Sequence, residues 1–144
     1  MGERFRKQDW IEFCKHLDDA YVDLAAVRQD KNERRLLNRA IWACWTFMEY
    51  AVNVLLELNG EEPETSHDQS KRVQDLKAAG LLQTDFSQVC DQINEFRLKA
   101  FYGNYTAGSK STHFSTANVQ RCLDQMAALR AEVETQLQAR GKLQ

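Results

Sequence analysis

The chain contains very little proline and glycine and has almost no net charge. One Pro and six Gly among 144 residues are too few for an all-β domain built on many tight turns. A formal net charge of −2 provides no overall attraction to nucleic acid or to anionic membranes. Any phosphate site must therefore come from a local patch of positive charge.

Cysteine patterns typical of metal sites or disulfide frameworks are also missing. The four cysteines have no CxxC or other ligand-like spacing; they are Cys14, Cys44, Cys90 and Cys122. Each falls on the apolar face of a different long predicted helix. A zinc site is one interpretation, but a small buried hydrophobe is the favoured one. We expect no metal and no cofactor, and, with no signal-peptide pattern at the start, a cytoplasmic protein with reduced thiols.

Apolar residues recur at helical spacing along most of the chain. This periodicity predicts long helices over residues 9–27, 33–58 and 86–102, and from residue 115 or 116 onward. A short helix is predicted over residues 67–79, with Gly80 closing it. The length fits one domain, so residues 1–144 are expected to form a single all-α, up-and-down bundle. Residues 140–144 are expected to fray.

The second predicted helix is apolar around most of its circumference, with only a narrow polar strip. Such a helix is either central in the fold or shared with a second subunit, and we expect a homodimer. A membrane span is the rival interpretation. It is disfavoured because Glu49 and Asn53 fall in the middle of the segment, where polar groups are costly in lipid.

The end of the fourth predicted helix carries the most distinctive residues. Arg97 follows Ile93 by one turn and precedes Phe101 by one turn, so it borders the buried face. Two tyrosines, Tyr102 and Tyr105, follow closely. In one interpretation, Arg97 complements the helix dipole and its aliphatic chain packs on the core. In the other, it binds an anion together with these hydroxyls.

The predicted topology brings further basic residues to the same end. In an up-and-down bundle, the fourth helix ends near the start of the second. The basic residues gathered there with Arg97 are Arg34, Arg35, Arg39, Lys99, Lys110 and His113. Cations at a helix N-terminus oppose its dipole, so this group either binds a phosphate or a nucleic-acid backbone, or pairs locally with Asp23, Asp30 and Glu33.

Two stretches together resemble the HEPN superfamily of small helical domains. Residues 71–82, KRVQDLKAAGLL, are similar to the short helix and the Leu, Gly and Leu that many such domains carry before their signature helix. Residues 93–103, INEFRLKAFYG, are similar to the signature helix itself. In that helix an Arg is followed about four to six residues later by a His, and Arg97 corresponds to the Arg.

The resemblance implies a helical, homodimeric protein. In the active members Arg and His cleave RNA without metal: Arg stabilises the charge of the phosphorane, and His moves the proton of the 2′-hydroxyl. Here Leu98 stands where Asn commonly follows the Arg, and Tyr102 occupies the spacing of the His. The phenol pKa of Tyr lies far above neutral pH, so the resemblance favours the fold and the dimer over catalysis.

Three functions are therefore open. The first is a binding or accessory protein that holds RNA or a nucleotide phosphate at Arg97 and Tyr102. The second is a metal-independent endoribonuclease that uses Arg97, Tyr102 and His113. The third is a structural bundle that binds an unknown protein partner, with Arg97 buried and paired with Glu49 or Asp23. None of the three involves a membrane.

Overall fold

The computed structural model describes residues 5–29, 31–62, 69–101 and 115–143. These ranges contain five helices and no strand. The helices are α1 (Lys7–Ala25), α2 (Glu33–Leu58), α3 (Gln69–Ala78), α4 (Ser87–Phe101) and α5 (Thr116–Ala139). The predicted all-α fold of four long helices and one short helix is confirmed. In these same ranges, no helix combines the length and the apolar character that crossing a bilayer requires.

Long helices that follow one another along the chain run in opposite directions. As α1 proceeds from its first to its last residues, its contacts move towards the start of α2 and towards the start of α5. The contacts are Trp10–Phe47 and Asp23–Arg39 towards α2, and Asp18–Arg130 and Tyr21–Asp124 towards α5. Helix α4 is antiparallel to α5, because Gln83 and Gln92 contact Glu132 and Cys122, respectively.

Helix α2 lies at the centre of the bundle. It packs against α1, α3, α4 and α5, so most of its circumference is covered within the chain. Its fully buried residues are Ala40, Ile41, Cys44, Phe47, Met48, Ala51, Val52 and Leu55. Burial of each larger side chain in this set contributes about 2 kcal/mol. Of the two roles predicted for this helix, the central one accounts for its apolar surface.

The helix ends differ in places from the sequence prediction. Helix α1 begins at Lys7, so Asp9 lies inside its first turn, where a carboxylate complements the helix dipole. Gly80 closes α3 as predicted: its φ is +85°, and the next residue, Leu81, donates its N–H to Leu76 at 3.0 Å. The chain leaves α3 in this turn and re-enters the bundle as α4.

Helix α5 ends at Ala139, and residues 140–143 form a turn in the stretch where the sequence predicted fraying. Gly141 has a φ of +70°, and Lys142 N–H donates to Leu137 at 2.9 Å. Leu143 then packs against the core. A hydrogen-bonded turn and an apolar contact together hold this end in place.

Candidate functional site

Arg97 lies on the part of α4 that faces α2. Ile93 and Ala100, about one turn away on either side, are buried, and Arg97 itself is half-buried. Its guanidinium carbon lies 4.2 Å from the centre of the Trp45 ring, a buried indole of α2. A cation–π contact of this kind contributes about 1 kcal/mol. It also keeps one face of the guanidinium against the protein.

The hydrogen-bond donors of this guanidinium are only partly used. Nη2 donates to Asn94 Oδ1 at 3.1 Å. Nε is buried and has no hydrogen-bond partner among the described residues. In the same ranges, no carboxylate forms an ion pair with Arg97. The positive charge is therefore held by a ring and an amide, and no acidic side chain of the described fold neutralises it.

The carboxylate partner expected under the structural hypothesis is not found among the described residues. That hypothesis paired Arg97 with Glu49 or Asp23. Asp23 Oδ2 instead lies 3.3 Å from Nε of Arg39, and Glu49 forms no ion pair with Arg97. Asp23 does not meet Arg97 because it belongs to α1, and α1 packs on a different face of α2 from the one that carries Trp45.

The basic residues predicted to meet at one end are divided between two sides of α2. Arg97 lies on the α4 side. Lys99 pairs with Glu95, one turn earlier on α4, at 3.0 Å. Three arginines from the first two turns of α2 line a groove on the α1 side; they are Arg34, Arg35 and Arg39. The described fold thus has two neighbouring positive regions on α2, and Arg97 does not line the groove that holds the other three.

The groove between α1 and α2 has a volume of about 1150 Å³. We call it the α1–α2 groove. Its lining residues are His16, Asp19, Ala20 and Asp23 from α1, Lys31 and Asn32 from the connection, and Glu33, Arg34, Arg35, Asn38, Arg39, Trp42 and Ala43 from α2. Arg35 is exposed and forms no ion pair with the described residues. Arg39 is paired with Asp23, so Arg35 carries more uncompensated positive charge than Arg39.

Trp42 is the aromatic residue of this groove, and the sequence analysis did not single it out. Its side chain is 52% exposed, whereas Trp10 and Trp45 are buried. Trp42 lies four residues after Asn38 and four before Thr46, so it belongs to the polar strip of α2. The sequence feature that could have identified Trp42 is the presence of an aromatic residue, at helical spacing, within the polar strip of α2.

The remaining predicted site residues lie outside the described ranges. They are Tyr102, Tyr105, Lys110 and His113. Their proposed roles continue to rest on the sequence. The described part of the candidate site consists of Arg97 with Trp45 and Asn94, and of the α1–α2 groove beside it.

All four cysteines are buried. Burial raises the pKa of Cys14 and Cys122 to about 11 and that of Cys90 to about 12, and it raises the pKa of Cys44 as well. Such thiols stay protonated near neutral pH and are poor nucleophiles and poor metal ligands. Among the described residues, no three His, Cys, Asp or Glu side chains are grouped so as to hold a metal ion.

Comparison with known proteins identifies a family. The family model described as HEPN domain matches residues 14–136, a span that begins within α1 and ends within α5. No curated protein and no solved structure matches the chain. The matched span includes Arg97, the α1–α2 groove and all the residues that connect them.

Proposed function

The chain belongs to the HEPN family, and from this premise we propose that it has a binding or accessory role, holding a phosphate of RNA or of a nucleotide at Arg97. Tyr102 follows at the spacing where the family's motif has its second residue. Lys99 and Lys110 are proposed to add positive charge to this end of α4, and Tyr105 a second phenol. The ligand is an anion with a phosphate group, and the protein supplies the counter-charge.

One observation carries this proposal: the charge of Arg97 has no acidic partner in the described fold. The guanidinium lies 4.2 Å from the Trp45 ring centre and donates one hydrogen bond to Asn94. A half-buried cation normally has a carboxylate partner, because an unpaired charge is costly away from water. A phosphate oxygen would supply the missing negative charge and accept hydrogen bonds from the guanidinium.

Binding is favoured over cleavage by the chemistry of Tyr102. Cleavage at a ribose phosphate needs a group that moves a proton near neutral pH. The phenol of Tyr has an ordinary pKa of about 10, and the nearest later His is His113, beyond the motif. We therefore expect RNA to remain intact when it is incubated with a high concentration of the protein in EDTA. Cleavage that Arg97→Ala abolishes would instead support the endoribonuclease hypothesis, with Tyr102 or His113 carrying the proton.

The binding proposal is tested with a fluorescently labelled single-stranded RNA and anisotropy titrations. Arg97→Ala is expected to weaken binding by at least about tenfold, the effect of losing a charge-assisted hydrogen bond. Arg140→Ala is the matched control, since it removes one Arg charge at the far end of α5, where the Arg140 guanidinium hydrogen-bonds to Gln136 within the described part of the chain. Equal affinities for Arg97→Ala and the native protein would refute the proposal, as would equal losses in the two variants.

A homodimer remains part of the proposal, but on a different basis from the apolar surface of α2. That surface is covered within the chain by α1, α3, α4 and α5. Leu98, the residue after Arg97, is 43% exposed on α4. A dimer that buries Leu98 would bring the two copies of Arg97 towards each other and would double the positive charge offered to one ligand.

Light scattering tests the dimer. We expect twice the chain mass for the native protein and the mass of a single chain for Leu98→Asp. Val22→Asp is the matched control, because Val22 is 69% exposed on α1 and should tolerate a charge with no change in mass. A native protein with the mass of one chain would contradict the dimer and would leave the binding site of Arg97 to be tested separately.

A further inference from the structure

The α1–α2 groove combines an exposed indole with charged walls. Trp42 is 52% exposed in a groove of about 1150 Å³, which is slightly larger than the usual range of small-molecule sites. We infer that this groove takes an unpaired nucleobase, stacked on Trp42, with the adjoining phosphate on Arg35. The inference rests on the proposed function, since it assigns a single-stranded ligand to the region next to Arg97.

The indole of Trp42 is the reason for choosing a base. Large aromatic side chains on the polar strip of a helix are costly to hydrate, and they are common where a flat ligand stacks. Stacking on an aromatic ring does not depend strongly on the identity of the base, because every base has a π-face. In a duplex these faces are already covered by neighbouring bases, so a ring at this position selects unpaired nucleotides.

Arg35 is the arginine of the groove that is best suited to a phosphate. It is exposed and forms no ion pair within the described residues. Arg39 is closer to the α1 wall but is already paired with Asp23 at 3.3 Å. Arg35 lies seven residues, or about two helical turns, before Trp42, on nearly the same side of α2. A nucleotide lying along α2 would therefore meet the guanidinium first and the indole next.

The carboxylates of the groove argue against a simple polyanion as the ligand. Asp19 and Glu33 line the groove together with the amide of Asn38. Two acidic groups would repel a ligand that carries only phosphates. A nucleoside, in contrast, offers amino and imino N–H groups and ribose hydroxyls. These groups donate hydrogen bonds, and carboxylate and amide oxygens accept them. The mixed lining fits a nucleotide better than it fits an inorganic anion.

The groove and Arg97 are close enough for one short strand to reach both. Trp42 and Trp45 are three residues apart on α2, which corresponds to a rise of about 4.5 Å and to adjacent positions on the helix surface. Trp45 carries Arg97 on its ring, and Trp42 opens into the groove. A strand that crosses the exposed edge of α2 would place one phosphate at Arg97 and a neighbouring base at Trp42.

The test compares two oligonucleotides of equal length and charge. One carries uracil at every position, and the other is abasic at every position, so only the first can stack. The native protein is expected to bind the first about tenfold more tightly, a typical effect of base–aromatic stacking. Trp42→Ala should remove this preference and leave the affinity for the abasic strand unchanged, whereas Arg97→Ala should weaken binding of both strands by the same factor.

Tryptophan fluorescence provides a second readout. Trp10 and Trp45 are 2% and 5% exposed, so a stacked base should quench mainly the emission of Trp42. Trp42→Phe keeps a ring for stacking but removes this emission, and it should therefore retain the preference for bases while losing the quenching. Circular dichroism checks that each variant keeps the helical fold.

The failures of the two proposals are distinguishable. If the native protein binds both strands equally well, the base-stacking inference is overturned, and the role of Arg97 stands. If it binds neither strand, the proposed function fails as well. A Trp42→Ala variant that loses no base preference but changes from dimer to monomer in light scattering would assign the groove to a second copy of the chain, which also overturns the inference.

Discussion

The guanidinium of Arg97 lies against the ring of Trp45, with its central carbon 4.2 Å from the ring centre. The contact joins α4 to α2 through a positive charge that has no acidic partner among the described residues. Its buried Nε donor is also without a hydrogen bond in these ranges. A side chain selected only for stability would avoid both costs. Both features support the proposed phosphate site, in which a ligand provides the missing negative charge.

The first prediction concerns the stability cost of this arrangement. Arg97→Met keeps an unbranched, apolar side chain next to Trp45 and removes the unsatisfied donor. The free energy of unfolding, measured by urea denaturation, should stay within about 0.5 kcal/mol of the native value or rise. Arg130→Met is the matched control: Arg130 pairs with Asp18 and Glu134, so its loss should destabilise the protein by about 1 kcal/mol. A larger loss for Arg97→Met than for the control would show that Arg97 is mainly structural.

The second prediction concerns the cysteines. Burial raises the pKa of Cys14 and Cys122 to about 11 and that of Cys90 to about 12, against an ordinary value of about 8.5. At about pH 8 the native protein should therefore react very slowly with a thiol reagent, whereas the urea-unfolded protein should release the signal of all four thiols. Rapid reaction of one native thiol would show that its surroundings are more open or more polar than described.

The third prediction concerns the contact between α1 and α5. Tyr21 donates its hydroxyl to Asp124 at 2.8 Å, and burial together with this hydrogen bond raises the pKa of Tyr21. Tyr21→Phe should cost about 1 kcal/mol at neutral pH. Because the raised pKa favours the neutral phenol in the folded state, this contribution is present below the unfolded pKa of about 10 and is lost as the pH rises towards the folded value.

Urea denaturation of both proteins at about pH 7 and about pH 11 measures this effect. The native protein should have a higher free energy of unfolding than Tyr21→Phe at about pH 7 and should lose this difference at about pH 11. The other tyrosines contribute equally to the two proteins. An advantage that is unchanged at high pH would contradict the raised pKa. Val22→Ala, at the neighbouring exposed position, should leave stability unchanged at either pH.

The helices were predictable because their apolar residues recur with helical spacing over long stretches. The bounds of α2 match the prediction at both ends, Glu33–Leu58, since the polar Asn32 precedes it and Asn59-Gly60 stops it. The start of α1 was missed by two residues, because Lys7 and Gln8 are compatible with either a helix or an extended segment. The turn that follows Ala139 could not be predicted from spacing, because the packing of Leu143 on the core is a tertiary contact.

The candidate site was less predictable for a different reason. Sequence spacing indicated that Arg97 borders the buried face of α4, and it does. Which ring or carboxylate it meets depends on how α4 packs across α2, and spacing within one helix carries no information about that. The same limit applies to Asp23. The sequence offered it to Arg97 and also, as local pairing, to the basic residues that include Arg39, and the structure pairs it with Arg39.

The most direct test of the central claim is the salt dependence of single-stranded RNA binding. If Arg97 contacts a phosphate, the slope of log Kd against log salt concentration should fall in magnitude by about 0.7 in Arg97→Met, the value for one phosphate contact on a single strand. The slope of the Arg140→Met control should match that of the native protein. An Arg97→Met slope equal to the native slope would show that Arg97 meets no phosphate and would contradict the account.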